Sequence, residues 1–219
     1  MNLQNKKIAF LGDSITEGVG ASTYEKCYVE RLKKIAHLDE AFNYGISGTR
    51  IAPQKNPSVN SEWDKDFLSR VAQMEDDVDA VVVFGGTNDF GHGDAPIGDF
   101  GDVTTDTFYG ACYTLMKMLI EKYPDKPILF ITPLHRFTEN DMINEIGLKR
   151  VALVDYVEAI KKTAARFSIP VLDLYSISGM QPNIEVQNLK YFADGLHPND
   201  NGHERIAKFI KAFSETIPE

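Results

Sequence analysis

The sequence AVVVFGG at residues 80–86 decides the fold of this chain. A continuous apolar run that contains several β-branched residues is typical of a strand buried on both faces, and the paired glycines mark where it ends. Strands of this kind occur in parallel sheets that carry helices on both sides. We therefore expect the rest of the chain to alternate between short apolar strands and amphipathic helices.

The regions on either side follow this alternation. Short apolar runs predict strands at residues 8–11, 41–44, 80–84, 128–131 and 171–174, and helical spacing predicts helices at residues 24–38, 62–75, 105–122, 141–167 and 199–216. Strands that alternate with helices form parallel β-α-β units with right-handed crossovers. The sequence therefore predicts one domain over residues 1–219, a three-layer α/β/α sandwich with about five parallel strands.

Composition limits the classes of function. The chain has 219 residues, 32 Asp and Glu against 23 Lys and Arg, and a formal net charge of −9. This acidic balance disfavours nucleic acid as a partner and a polybasic attachment to a membrane. No apolar stretch approaches the ~20 residues that span a bilayer, and no signal peptide is recognised, so we expect a cytoplasmic protein without a transmembrane segment.

Cys27 and Cys112 belong to no CxxC or Cys/His cluster and are predicted to be reduced thiols.

Polar residues at the strand ends are candidates for a functional site, because ligands bind beyond the carboxyl ends of the strands in such sheets. Ser14 follows the first strand, and its hydroxyl is a candidate nucleophile. Gly45 and Gly48 follow the second strand and allow a close approach of backbone to a ligand. Asn88 follows the third strand, and its two N–H donors can stabilise an oxyanion. Each segment alone also fits a helix cap or a local turn.

A loop near the C-terminal end supplies a candidate acid–base pair. Asp194 and His197 are three residues apart, with Gly195 between them and Pro198 behind. A carboxylate on one ring nitrogen of His197 leaves the other nitrogen free as a general base. In isolation such a pair is more often a surface ion pair. Here the candidate nucleophile, donors and base all fall at one edge of the predicted sheet. This combination of nucleophile, base and orienting carboxylate is typical of a serine hydrolase.

Four blocks of the sequence resemble those of the SGNH hydrolase superfamily, also called GDSL lipases and esterases. The blocks are GDSI at residues 12–15, NYGISG at residues 43–48, GGTND at residues 85–89 and DGLHP at residues 194–198. Ile15 stands where the family name has Leu, which is a volume-conserving change. The resemblance covers nearly the whole chain. It implies a flavodoxin-like α/β/α sandwich and an ester hydrolase that uses neither a metal nor an organic cofactor.

The resemblance also implies a role for each residue of the site. Ser14 would be the nucleophile, His197 the general base and then the general acid, and Asp194 the group that orients His197. The backbone N–H groups of Ser14 and Gly48 and the side chain of Asn88 would form the oxyanion hole. Water would release an acyl-enzyme formed on Ser14.

The substrate is the least determined part of this hypothesis. Residues 89–104 form a long segment rich in glycine and aspartate, and we expect this segment to shape the substrate site, with residues 50–61 and 133–147 as further walls. Its polar composition favours a small acyl group such as acetyl on a polar or carbohydrate substrate. The alternatives are a lysophospholipase or thioesterase that acts on longer acyl chains, and a non-catalytic binder of acylated glycans.

Five further side chains allow two interpretations each. His92, His135 and Arg136 are candidate substrate contacts, although a loop position for His92 and a surface ion pair for Arg136 are the stronger expectations. Trp63 is expected in the core rather than as a surface that stacks on a sugar. His203 lies in the last predicted helix and is expected to be structural or exposed rather than a competing base.

Overall fold

A computed structural model describes residues 1–217. Five strands form one sheet in the order β2-β1-β3-β4-β5, and every neighbouring pair is parallel. The strands are β1 (Lys7–Gly12), β2 (Glu40–Gly45), β3 (Ala80–Phe84), β4 (Ile128–Ile131) and β5 (Val171–Leu172). This is the strand order of the flavodoxin-like folds, in which successive strands are added to one side of β1 and then, from β3 onward, to its other side, and ligands bind at this switch point between β1 and β3. The predicted α/β class and parallel sheet are confirmed.

Helices cover both faces of the sheet. Within residues 1–217 they are α1 (Ser14–Glu17), α2 (Tyr28–Ala36), α3 (Phe67–Val71), α4 (Thr87–His92), α5 (Phe108–Lys122), α6 (Leu153–Arg166), α7 (Leu174–Ile177), α8 (Glu185–Tyr191) and α9 (Asp200–Ser214). None of the helices in this described part of the chain is long and apolar enough to cross a membrane.

Alternating side chains of the strands divide the core into two layers. On one face Phe10 and Val82 pack among buried side chains of α2 and α9. On the other face Ala9, Val81 and Val83 pack among those of α3, α5 and α6. Because successive side chains of a strand point to opposite faces, the apolar run of β3 contributes to both layers at once. Because both faces of β3 are buried, its residues are all apolar and do not alternate between apolar and polar.

The predicted helix at residues 141–167 is wrong over its first half. Helix α6 begins at Leu153, and residues 141–152 form an irregular segment. Gly147 in this segment has a φ of +81°, which is not helical. The buried Arg150 donates from Nη1 to the carbonyl of Phe90 (2.6 Å) and from Nε to that of Asp141 (2.7 Å). The bond to Phe90, which joins residues 60 positions apart, holds the segment against α4 instead of in a helix.

Three other predicted elements are shorter than their patterns. Residues 24–38 contain a single 3₁₀ turn before α2, and residues 62–75 contain a 3₁₀ turn at Ser61–Asp64 and then the short α3. The Asp66 side chain caps α3 by accepting from the N–H of Ser69 (2.9 Å). The last strand ends two residues early because Asp173 caps α7.

Candidate active site

The candidate nucleophile Ser14 lies where β1 turns into α1. The Asp13 side chain caps α1 by accepting from the N–H of Ile15 (3.0 Å), and Ser14 is the first residue of the helix. Gly12 must be glycine at the end of β1, because an added Cβ would lie 2.9 Å from the carbonyl oxygen of Phe84 and would overlap another side chain. Burial raises the pKa of Asp13 to about 6. The turn thus fixes Ser14 at the carboxyl edge of the sheet.

His197 and Asp194 continue from Ser14 as a chain of hydrogen bonds. His197 Nε2 lies 3.0 Å from Ser14 Oγ, and His197 Nδ1 lies 2.7 Å from Asp194 Oδ2. A carboxylate can only accept, so Nδ1 carries the proton and the Nε2 of neutral His197 accepts from the Ser14 hydroxyl. The other oxygen of Asp194 accepts from the N–H groups of Leu196 (3.0 Å) and His197 (2.7 Å). Partial burial opposes ionisation, but these bonds hold the pKa of Asp194 below its usual value.

Three N–H groups at this edge of the sheet are candidate donors to an oxyanion. The backbone N–H groups of Ser14 and Gly48 donate to no atom of residues 1–217. Asn88 Nδ2 donates one hydrogen bond to the carbonyl of Thr49 (3.0 Å), which leaves its second N–H available. Gly48 has a φ of +74°, a conformation that favours glycine. The predicted residues are therefore brought to one edge of the sheet with unused donors.

Two side chains that the sequence did not single out fix the loop that carries Gly48. Glu17, at the end of α1, accepts hydrogen bonds from the backbone N–H (2.7 Å) and the hydroxyl of Ser47. The buried Arg70 donates to the carbonyl of Gly12 (3.2 Å) and to Thr49 Oγ1 (3.0 Å). Together they tie the ends of β1 and β2 to each other. A local sequence pattern contains no signal for such contacts, because the partners lie 21 to 58 residues apart.

Asp89, next to Asn88, holds the backbone that follows Arg50. Its two oxygens accept from the N–H groups of Ile51 (2.9 Å) and Ala52 (2.8 Å). Burial raises the pKa of Asp89 to about 6, and these two bonds work against that rise. Asp89 therefore joins the Asn88 turn to the neighbouring loop.

His92 is not a loop residue but the last residue of α4, and it is buried. Its Nδ1 lies 2.7 Å from Nη1 of Arg50, whose side chain is fully buried and also pairs with Asp64 (2.8 Å). The expectation that Trp63 belongs to the core is wrong, since its ring is only half-buried. The ring centroids of Trp63 and His92 are 4.9 Å apart, and Trp63 packs directly against Gly48.

His135 and Arg136 are both engaged by protein groups. Arg136 is buried and not a surface residue: it donates to the carbonyl of Thr87 (3.1 Å) and pairs with Glu145 (2.8 Å). His135 Nδ1 lies 2.7 Å from Oε2 of Glu139 and remains half-buried. The guanidinium of Arg136 supports the turn that follows β3. His135 Nε2 contacts no polar atom of residues 1–217, and a role for His135 as a substrate contact is still a proposal.

His203 is structural. Its Nδ1 accepts from the N–H of Tyr28 (3.1 Å), its Nε2 donates to the carbonyl of Val19 (3.1 Å), and its ring stacks on Tyr28. Burial lowers the pKa of His203 to about 4. A neutral imidazole with both nitrogens occupied does not compete with His197 as the base.

The chain belongs to the GDSL-like lipase/acylhydrolase family, whose model matches residues 10–205. It is accordingly a serine hydrolase that acts on ester bonds. A solved structure from Lactobacillus plantarum is 32% identical, with a TM-score of 0.83 and 99% of both chains covered. A lipase/acylhydrolase from Enterococcus faecalis is 22% identical, with a TM-score of 0.67 and 98% of both chains covered.

A two-domain esterase active on acetylated mannans, solved with mannopentaose, is 23% identical with a TM-score of 0.60. That match covers 97% of the present chain and 50% of the esterase. No curated protein matches the chain.

Proposed function

We propose that this chain hydrolyses a small-acyl ester, of the acetyl type, on a polar or carbohydrate substrate through an acyl-enzyme on Ser14. The observation that carries the proposal is the chain of hydrogen bonds from Ser14 Oγ to His197 Nε2 (3.0 Å) and from His197 Nδ1 to Asp194 (2.7 Å). Beside it stand the unpaired N–H groups of Ser14 and Gly48.

The first half of the reaction uses His197 as a base and then as an acid. Nε2 takes the hydroxyl proton as Ser14 Oγ attacks the ester carbonyl carbon. The oxyanion that forms accepts hydrogen bonds from Ser14 N–H, Gly48 N–H and the free N–H of Asn88. Asp194 stabilises the imidazolium. The intermediate then collapses, Nε2 gives its proton to the leaving alcohol oxygen, and the acyl group stays on Ser14.

Water completes the cycle. His197 Nε2 removes a proton from the water as its oxygen attacks the acyl carbon, and the same three donors stabilise the second oxyanion. Collapse returns the proton to Ser14 Oγ and releases the carboxylic acid. Each step needs only the groups already described.

Two features support the acetyl-type, polar substrate. The segment after α4 is polar, and a structural neighbour acts on acetylated mannans. A second candidate is an ester of a longer acyl chain, because four apolar side chains of the irregular segment are 43% to 57% exposed, namely Met142, Ile143, Ile146 and Leu148. Acetyl, butyryl and decanoyl p-nitrophenyl esters separate these substrates. A higher kcat/KM for decanoyl would refute the acetyl-type proposal.

The nucleophile is tested with Ser14→Ala. We expect the variant to keep the wild-type melting temperature and to lose turnover of p-nitrophenyl acetate, because within residues 1–217 Ser14 supplies the only hydroxyl in contact with His197 Nε2. A fluorophosphonate should form an adduct on Ser14 in the wild type. Wild-type kcat in the variant would refute the assignment, and absence of the adduct would favour a protein that binds acylated glycans without turnover.

A further inference from the structure

A cavity of about 320 Å³ is lined on one side by Trp63, whose indole packs against Gly48 of the proposed oxyanion hole. It opens between residues 54–63 and residues 146–148, and its walls include the aromatic pair Trp63 and His92. Its other polar wall residues include Gln54, Asn56 and Asp94. The volume is within the usual range of small-molecule sites, roughly 300–1,000 Å³.

The cavity is next to the reacting groups. Trp63 packs against Gly48, since a Cβ added to Gly48 would overlap the indole ring. His92 lies four residues after Asn88 in α4, and residues with that spacing share one face of a helix. A substrate whose carbonyl oxygen meets Gly48 and Asn88 therefore has this cavity alongside it.

His92 offers the cavity a hydrogen-bond donor of fixed identity. Arg50 Nη1 can only donate, so His92 Nδ1 must accept across their 2.7 Å contact. Burial and the charge of Arg50 keep the imidazole neutral, with a pKa of about 4, so the proton is on Nε2. His92 is more than nine-tenths buried, yet its Nε2–H donates to no atom of residues 1–217. Nε2 is not fully enclosed by residues 1–217, so a ligand can reach it.

The remaining polar wall is already paired within the protein. Asp94 accepts from the backbone N–H groups of Lys55 (3.0 Å) and Asn56 (2.9 Å), and Gln54 Nε2 donates to the carbonyl of His92 (3.3 Å). These bonds make the wall rigid. The Asp94 carboxylate and the net charge of −9 disfavour an anionic ligand.

We propose that this cavity is a subsite for the sugar ring of the substrate, with Trp63 as the stacking surface and His92 Nε2–H as the donor to a ring or hydroxyl oxygen. The C–H face of an uncharged sugar ring can stack on the aromatic wall, and a ring or hydroxyl oxygen can accept from the free donor. The nearby carboxylate is compatible with a ring that carries no negative charge. The inference rests on the proposed esterase function and assigns the alcohol part of its ester.

Fluorescence tests the subsite independently of catalysis, because Trp63 is the single tryptophan of the chain. Methyl glycosides (glucoside, galactoside, xyloside and mannoside) should change its emission in a saturable manner, in the wild type and in Ser14→Ala alike. Benzoate, an anionic ring, should not. No change with any glycoside, or a response to benzoate alone, would overturn the subsite, even in an enzyme that turns over simple esters.

Kinetics provide the second test. His92→Phe keeps a ring but loses both the donor and the acceptor for Arg50, whereas His92→Gln keeps an acceptor for Arg50 and a donor. For acetylated methyl glycosides we expect His92→Phe to raise KM by about 2- to 10-fold with little change in kcat, and His92→Gln to restore most of the loss. For ethyl acetate, which has no ring, the loss in His92→Phe should be smaller than the loss for the acetylated methyl glycosides. Equal losses on both esters, or none on the glycosides, would overturn the proposal. Glycoside binding without turnover of any ester would refute the esterase function instead.

Discussion

Gly48→Ala tests whether the backbone at this position is an oxyanion donor. The φ of +74° costs an alanine about 1–2 kcal/mol relative to glycine. The new Cβ would also overlap the indole of Trp63, so either the loop or the ring must move. Movement of the loop withdraws the Gly48 N–H from the oxyanion, and loss of one such donor lowers kcat by about 10²–10³.

Stability and activity should respond differently to this change. For a chain of this size each kcal/mol lowers the melting temperature by about 2–4 °C, so the backbone strain alone corresponds to roughly 2–8 °C. The variant should thus be folded at 25 °C while kcat for p-nitrophenyl acetate is strongly reduced. Circular dichroism and initial rates measure the two effects on the same sample.

Trp63→Ala provides the matched background. With the indole removed, Gly48→Ala retains the φ strain but not the overlap, and much of the lost kcat should return. If Gly48→Ala alone has wild-type kcat, the Gly48 N–H is not an oxyanion donor. If Gly48→Ala costs the same in both backgrounds, contact with Trp63 does not position the loop.

Three further perturbations address separate features. Glu17→Gln weakens the acceptor that holds the Gly48 loop, so kcat should fall by about 3- to 10-fold at nearly constant KM, and a rise in KM alone would contradict this role. The pKa of His203 is lowered from 6.5 to about 4, so its stabilisation is complete above pH 6.5 and is lost as the pH falls towards 4. Urea unfolding at pH 7.5 and 4.5 should show the stability advantage over His203→Gln shrinking by ~2–3 kcal/mol, and a constant difference would refute the assignment. Burial raises the pKa of the Cys27 and Cys112 thiols, so a thiol reagent should label neither in the native protein and both in urea, and rapid native labelling would contradict their burial.

The sheet, and the edge expected to carry the site, followed from local sequence. The continuous apolar run of β3 indicated burial on both faces, and the rule that ligands bind at the carboxyl ends of parallel strands then selected Ser14 and Asn88. His197 was recognised as a candidate base from its neighbour Asp194 together with the nucleophile and donors expected at the same edge. These predictions depend on short patterns and on one topological rule.

The irregular segment 141–152 shows where local patterns fail. Its apolar residues have helical spacing, but Gly147 has a positive φ and Arg150 binds the carbonyl of Phe90, 60 residues away. Trp63 was misjudged for a related reason. Its environment is set by Gly48 and His92, and neither is near it in sequence.

The loop that carries Asp194 and His197 has a mechanical consequence. The Asp194 side chain is 53% exposed, yet the three hydrogen bonds that it accepts within residues 1–217 come from its own loop. Asp194 and His197 therefore form one hydrogen-bonded unit, and a displacement of the loop would break the contact between His197 and Ser14 together with the bond from the Phe137 N–H to the carbonyl of Gly195 (2.9 Å). Such a displacement would uncouple the nucleophile while the Asp194–His197 pair stayed assembled and ready to re-engage.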